Sequence, residues 1–197
     1  YDRLVGSEMC IRDRYNDVRV NLLSFSLLNV FQESLPEVLK KEIMDPIGAS
    51  TSWNWYGYEK SKILLNGAII NSVSGGGHFG GGMFINSLDH ARFGLLFLRN
   101  GKWKNESLLS PEWIKLVQQP SENNESYGYM WWLNKGKRKW RGVSENIYYG
   151  AGFGGNFIVI IPNHNLVVVV RWIDSSKIGD FIKKVCLLYT SPSPRDG

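Results

Sequence analysis

Two stretches of the chain, Gly75–Gly80 and Gly150–Gly155, match the G-x-G-x-x-G template in which backbone N–H groups hold a pyrophosphate. That chemistry needs a strand before the glycines and a helix that begins directly after them. Neither stretch meets the condition, because Gly155 runs into a strand and the helix after Gly80 starts several residues late. The second stretch suits a different use. Gly150, Gly152, Gly154 and Gly155 leave the entry to a strand free of side-chain bulk, so a ligand can approach its backbone closely. The three histidines, His78, His90 and His164, show no metal-ligand spacing. His164 falls in a hairpin turn and His90 early in a helix, which reads as surface for both. His78 lies between two glycine triplets and is a candidate pocket wall. No metal and no organic cofactor is expected.

The elements that must position the glycine edge begin with Tyr148–Trp172. Its apolar, β-branched runs Phe157–Ile161 and Leu166–Val170 are separated by Pro162–Asn165, which predicts an antiparallel hairpin. Both runs are apolar at nearly every position, so both faces should be covered and the hairpin should lie centrally in a sheet. Upstream, Asp17 is the expected N-cap of a helix over Val18–Phe31 that is apolar on most sides and so reads as buried. Ser34-Leu35-Pro36-Glu37 forms a capping box for a second helix ending at Glu42 or Ile43.

Residues 49–74 read as a loop with at most a short strand. Within it Trp53 and Trp55 are either pocket walls or packing under the loop. Ser87 should cap a helix over Leu88–Arg99 with Leu88, Ala91, Leu95 and Leu98 on its apolar face. A short helix from Ser110-Pro111, strands over Tyr127–Leu133 and Lys139–Val143, and a helix from Ile178 complete the order. Helices first, then strands and a last helix, imply an α+β fold: an antiparallel sheet covered by helices.

At 197 residues the length suits one domain. The termini need separate treatment. Arg3–Asp13 and Cys186–Asp196 can both be encoded by one oligonucleotide read from its two strands, and that oligonucleotide resembles a transposase sequencing adapter. Residues 1–14 and 186–197 are therefore expected to be non-native scars, with 15–185 the native part. Cys10 and Cys186 fall in the scars, so redox compartment cannot be inferred. The scars hold equal numbers of basic and acidic residues, so the net charge of +5 belongs to the body. Its densest run, Lys135–Arg141, reads as a solvated turn between strands in preference to a nucleic-acid surface. No run approaches a membrane span, and oligomeric state and compartment stay open.

Four stretches in collinear order carry a resemblance: YNDVRVNLLSFSLLNVF, SLPEVLKKEIMDPIGAS, SGGGHFGGGMFINSLDHARFGLLFLRNGKW and GAGFGGNFIVIIPNHNLVVVVRW. Together they resemble the C-terminal half of the β-lactamase-related serine hydrolases, which include class C β-lactamases, penicillin-binding proteins and esterases. The resemblance implies a β-lactamase/transpeptidase-like fold with its N-terminal part missing. It also implies hydrolysis of an ester, amide or lactam through an acyl-serine intermediate, with a small-molecule or peptide as substrate.

In that family a Ser-x-x-Lys pair, a Tyr-x-Asn motif and a Lys-Thr-Gly or His-x-Gly strand meet in one site. The second maps onto Tyr15-Asn16-Asp17, making Tyr15 the proton shuttle and replacing the usual asparagine with Asp17. Read without the resemblance, Tyr15 is an aromatic packed before a helix. The third motif maps onto Gly150-Ala151-Gly152 or Tyr148-Tyr149-Gly150, neither of which carries lysine or histidine. Backbone N–H groups between Gly150 and Phe153 could still hold an oxyanion. No serine in 15–185 is followed by lysine at the third position, so this stretch alone is expected to be inactive. The alternative is a non-catalytic peptide or cell-wall binding module on the same fold. The family's usual compartment would be periplasmic or secreted.

Overall fold

Successive residues of a strand point to opposite faces of its sheet, and in the apolar run Phe157–Ile161 each face finds a partner. The computed structural model describes residues 15–73, 82–137 and 139–190. In it β9 (Asn156–Ile161) pairs antiparallel with β10 (Leu166–Val170), Phe157 opposite Val170 and Ile161 opposite Leu166. β8 (Tyr148–Gly152), β7 (Trp131–Leu133) and β6 (Tyr127–Gly128) follow on the other side of β9, in a five-stranded antiparallel sheet ordered β10-β9-β8-β7-β6. Phe157, Val159 and Ile161 pack on Ile178 and Ile182 of α5 (Ile178–Thr190). Ile158 and Ile160 pack on the opposite layer with Phe97 of α3 (Ser87–Leu98) and Ile114 of α4 (Pro111–Leu116). The expected two-sided burial is therefore present, but β10 is the outer strand among the described residues, so the hairpin is not central in strand order.

A smaller sheet, ordered β2-β1-β3, is built from β1 (Asn54–Leu65), β2 (Ala68–Val73) and β3 (Gly82–Phe84). This replaces the loop expected over residues 49–74. The turn is Asn66-Gly67, both at positive φ (50° and 81°), the conformation that lets a two-residue hairpin follow strand twist. α1 (Asp17–Phe31) lies on this hairpin, with Leu28 packed against Leu35 and Val73. Its N-cap is Asn16, whose side chain accepts from the Arg19 N–H, and Asp17 is the first helical residue. The expectation that α1 is buried fails: Val20, Ser24 and Leu28 are buried, whereas Val18 and Val30 are 72% and 73% exposed. α2 (Leu35–Leu39), capped by Ser34 as expected, continues into a π-helical turn over Lys40–Met44.

Other boundaries differ locally. Asn86, not Ser87, caps α3, and Leu88 is exposed while Leu96 and Phe97 are buried. Tyr127–Leu133 is broken at Tyr129 and Met130, both at positive φ. Lys139–Val143 is not a strand. The buried Asn134 side chain ties that segment down, donating to the carbonyls of Trp140 and Ser144 and accepting from Trp140 N–H, and Trp140 stacks on Tyr149 at 4.3 Å. β4 (Lys102–Trp103) and β5 (Glu106–Ser107) make a small hairpin after α3. α5 runs past residue 185, and Cys186 packs in the core. Residues 1–14, 191–197 and the glycine stretch 74–81, with His78, lie outside the described residues.

α3 lies against the sheet at Gly94, where an added Cβ would stand 2.6 Å from Val167 Cγ1 and 2.9 Å from Ile158 Cδ1. Gly94→Ala should therefore destabilise the fold by about 1–3 kcal/mol despite alanine's higher helix propensity. Urea unfolding would show this as a lower midpoint at unchanged slope; an equal or higher midpoint would contradict the close packing.

Candidate active site

Pairing along β8 is uneven. On one side β9 stays with β8 to Gly152, opposite Asn156, whereas on the other β7 leaves it after the Trp132–Tyr149 pair. Among the described residues, Gly150, Ala151 and Gly152 thus present one backbone edge without a neighbouring strand. N–H groups of alternate residues point to opposite edges, so at least one of these three faces the open side. Past Gly152 the chain reverses through Gly154 and Gly155 at φ 76° and 77°, and a Cβ on Gly155 would overlap the Ile173 carbonyl. Only glycine fits there.

The open edge forms one wall of a cleft of about 770 Å³. Gly150, Ala151, Gly152 and Phe153 line it from the end of β8, Gly82–Phe84 and Trp55 from the smaller sheet, Asp17 from the first residue of α1 and Tyr15 from just before it. The two parts of the sequence that resemble catalytic motifs, far apart along the chain, share this cleft. Trp55 is in its wall. Trp53 is not: it is buried with Met44, Ile47 and Leu96. Phe153, 92% exposed, stands at the rim.

Burial raises the Tyr15 pKa above the ordinary phenol value, and a hydrogen bond to Asp17 with that carboxylate's charge raises it further. Tyr15 is therefore a neutral phenol at physiological pH, a proton donor in its present surroundings. Asp17 Oδ1 is buried with no hydrogen-bond partner among the described residues. A buried acceptor of this kind is costly unless a donor arrives. The pair therefore forms a socket that suits an ammonium group, which would satisfy Asp17 and ease deprotonation of Tyr15.

Two further residues, His90 and Arg171, line the cleft without a motif that marks them in the sequence. His90, expected at the surface, is half-buried, lines the cleft and has a buried Nδ1 with no partner among the described residues. Arg171 follows the last valine of β10. Its Nη2 donates to the Ile85 carbonyl at 3.1 Å and its Nε to Ser87 Oγ at 3.4 Å. The available signal was a lone cation closing an apolar strand. Burial, and secondly the Arg171 charge, pull the His90 pKa down to about 4. Among the described residues no group of three His, Cys, Asp or Glu side chains could hold a metal ion, and no helix is long and apolar enough to cross a membrane.

No family model matches the chain, and no curated protein matches it. Solved structures do. A presumed β-lactamase of Bacteroides dorei DSM 17855 superposes with a TM-score of 0.58 at 16% identity, over 81% of this chain and 50% of its own. A presumed 6-aminohexanoate-dimer hydrolase of Bacillus anthracis gives 0.61 at 17% identity, over 88% and 42%. EstCE1, a hydrolase with promiscuous acyltransferase activity, gives 0.58 at 18%, over 87% and 56%. The chain therefore has the β-lactamase/transpeptidase-like fold, an α+β architecture with an antiparallel sheet between helices, and it spans about half the length of the structures it matches.

Because the His90 pKa is lower when folded than the ordinary 6.5, the unfolded chain binds the extra proton first as pH falls. This contribution to stability is whole above about pH 6.5 and is lost as pH falls toward 4, with a slope of at most about 1.4 kcal/mol per pH unit. His90→Gln should flatten denaturation midpoints across that window. An unchanged slope would show that His90 is not held neutral.

Proposed function

We propose that residues 15–185 are the C-terminal part of a serine hydrolase domain that cleaves an ester, amide or lactam through an acyl-serine intermediate. The observation that carries this reading is the single cleft shared by Tyr15, Asp17 and the edge of β8 that is unpaired among the described residues. The Ser-x-x-Lys pair, absent from 15–185, would belong to the half of the fold that the matched structures have in addition. The exposed apolar face of α1 and the outer strand β10 are surfaces against which that half could pack.

The chemistry then follows from the groups present. The lysine side chain fits the socket beside Tyr15 and Asp17; as the neutral amine it takes the serine proton, and it returns that proton to Oγ when water releases the acyl group. The serine Oγ attacks the carbonyl carbon, and the carbonyl oxygen, now an oxyanion, accepts from N–H groups at the Gly150–Phe153 edge. Tyr15 hands a proton to the departing alkoxide or amine as the C–O or C–N bond breaks, and regains one from the water that later hydrolyses the acyl-serine. No metal or organic cofactor enters these steps.

One observation favours a second reading, a non-catalytic peptide or cell-wall binding module: no lysine or histidine stands at the strand motif Tyr148–Gly152. The two readings separate in the full-length parent, assayed with a chromogenic ester and a chromogenic cephalosporin. The enzyme reading predicts turnover that Tyr15→Phe lowers about 10²–10⁴-fold in kcat/KM, while this 197-residue chain alone shows none. Unchanged turnover in Tyr15→Phe would remove the phenol from the mechanism, and no turnover by the parent would leave the binding module.

A further inference from the structure

We infer that Arg171 is a positioning residue for the reaction: from the end of β10 it holds the β3 wall of the cleft at a fixed distance from the β8 edge. This rests on the hydrolase reading and adds to it the group that spaces two walls of the site. The Arg171 Nη2 donates to the Ile85 carbonyl at 3.1 Å and its Nε to Ser87 Oγ at 3.4 Å, where β3 passes into α3. Both acceptors are neutral, and no ion pair within 4.0 Å joins Arg171 to a carboxylate among the described residues. A half-buried guanidinium bonded to a backbone carbonyl makes a charge-assisted hydrogen bond, which is stronger than a neutral one. Its planar fork reaches both acceptors from one side-chain conformation.

β3 has little else to hold it. It is three residues long, pairs with β1 through Gly82, Met83 and Phe84, and is an outer strand of its sheet among the described residues. The base from which Arg171 reaches is rigid. The chain turns directly after it at Trp172, whose φ of 56° is unfavourable for a bulky residue and persists only where the surroundings impose it. Trp172 lies against Gly154, where an added Cβ would stand 2.5 Å from its Cζ3, and the Ile173 N–H donates to the Gly155 carbonyl at 3.1 Å. Gly154 and Gly155 form the turn that continues the β8 edge. The end of β10 is thus fastened to the turn beyond Gly152 and, through the guanidinium, to the residue that follows Phe84. Tyr15, Asp17 and Gly150–Gly152 stand on other elements. Loss of this strap should therefore loosen the β3 wall and weaken substrate binding while the reacting groups keep their places.

The test uses the full-length parent. Hydrogen exchange followed by mass spectrometry needs no turnover: Arg171→Gln should speed exchange of the Gly82–Ile85 amides at least about tenfold and leave β8 and β9 unchanged. With para-nitrophenyl butyrate, the same variant should raise KM about tenfold and change kcat less than about twofold, and Arg171→Lys should restore part of the loss. The mono-para-nitrophenyl ester of glutarate should suffer as much as the neutral butyrate. A loss confined to that acid ester would make Arg171 a substrate contact and overturn the assignment. Unchanged exchange at Gly82–Ile85, exchange speeded evenly over both sheets, or an unchanged KM in an active parent would overturn it too. Circular dichroism checks that each variant is folded. If Arg171→Gln is not, Arg171→Lys and Ser87→Ala decide, and the assignment falls if neither loosens Gly82–Ile85. Local loosening in a parent that turns over neither ester would refute the hydrolase reading and leave the strap standing.

Discussion

The strand Asn156–Ile161 has no face on which water could be tolerated. Phe157, Val159 and Ile161 press on α5, while Ile158 and Ile160 press on α3 and α4. A slip of one residue against β8 would turn each of these side chains to the opposite layer, so the register is held by packing on both sides at once. That register sets Gly150 opposite Ile158 and Gly152 opposite Asn156, and thereby decides where the unpaired backbone edge stands. The geometry available for chemistry is a by-product of where the core puts its isoleucines.

The smaller sheet needs its own tether, and a buried carboxylate provides it. Asp89, fully buried in the first turn of α3, accepts from the Ser50 N–H and hydroxyl, from Asn86 Nδ2 and from Arg92 Nη1. Burial alone would raise its pKa, but these four donors outweigh that and hold it below the usual carboxylate range. Arg171 makes a second link, from the end of β10 to the segment between β3 and α3. The cleft is lined by a phenol just before α1, a carboxylate at the first residue of α1 with one oxygen unpartnered among the described residues, the edge of β8 that no described strand pairs with, and a histidine and an arginine near the β3–α3 junction. Charge is thus distributed within one concavity, a cation and an anion that do not neutralise each other, which suits a polar ligand better than a purely apolar one.

Much of this was legible in the residues, and the failures have physical causes. The β9–β10 hairpin was clear because two-sided burial makes a run uniformly apolar, and α2 and α4 because Ser34 and Ser110 accept from first-turn N–H groups. β1 was obscured because its burial is partial along most of its length and its pairing with β2 shifts register between Gly57 and Lys62, which blurs the period. The local signal for the hairpin is Asn66-Gly67 between apolar runs. α1 was misjudged for a different reason. Apolar composition reports what a helix could bury, and among the described residues only one face of it has a partner. His90 and Arg171 were not recoverable from spacing, because their meeting depends on how the end of β10 comes to lie beside α3.

The central claim is that Tyr15 and the Gly150–Phe153 edge act on one acyl group. A crystal structure of the full-length parent inactivated by an alkyl fluorophosphonate tests this most directly. The account predicts a phosphonylated serine within the cleft, with its oxygen about 2.7–3.1 Å from a backbone N–H of the Gly150–Phe153 edge and the Tyr15 hydroxyl turned toward the leaving-group side. A phosphonyl group bonded outside the cleft, or one whose oxygen is held by donors from elsewhere with Tyr15 facing away, would contradict it.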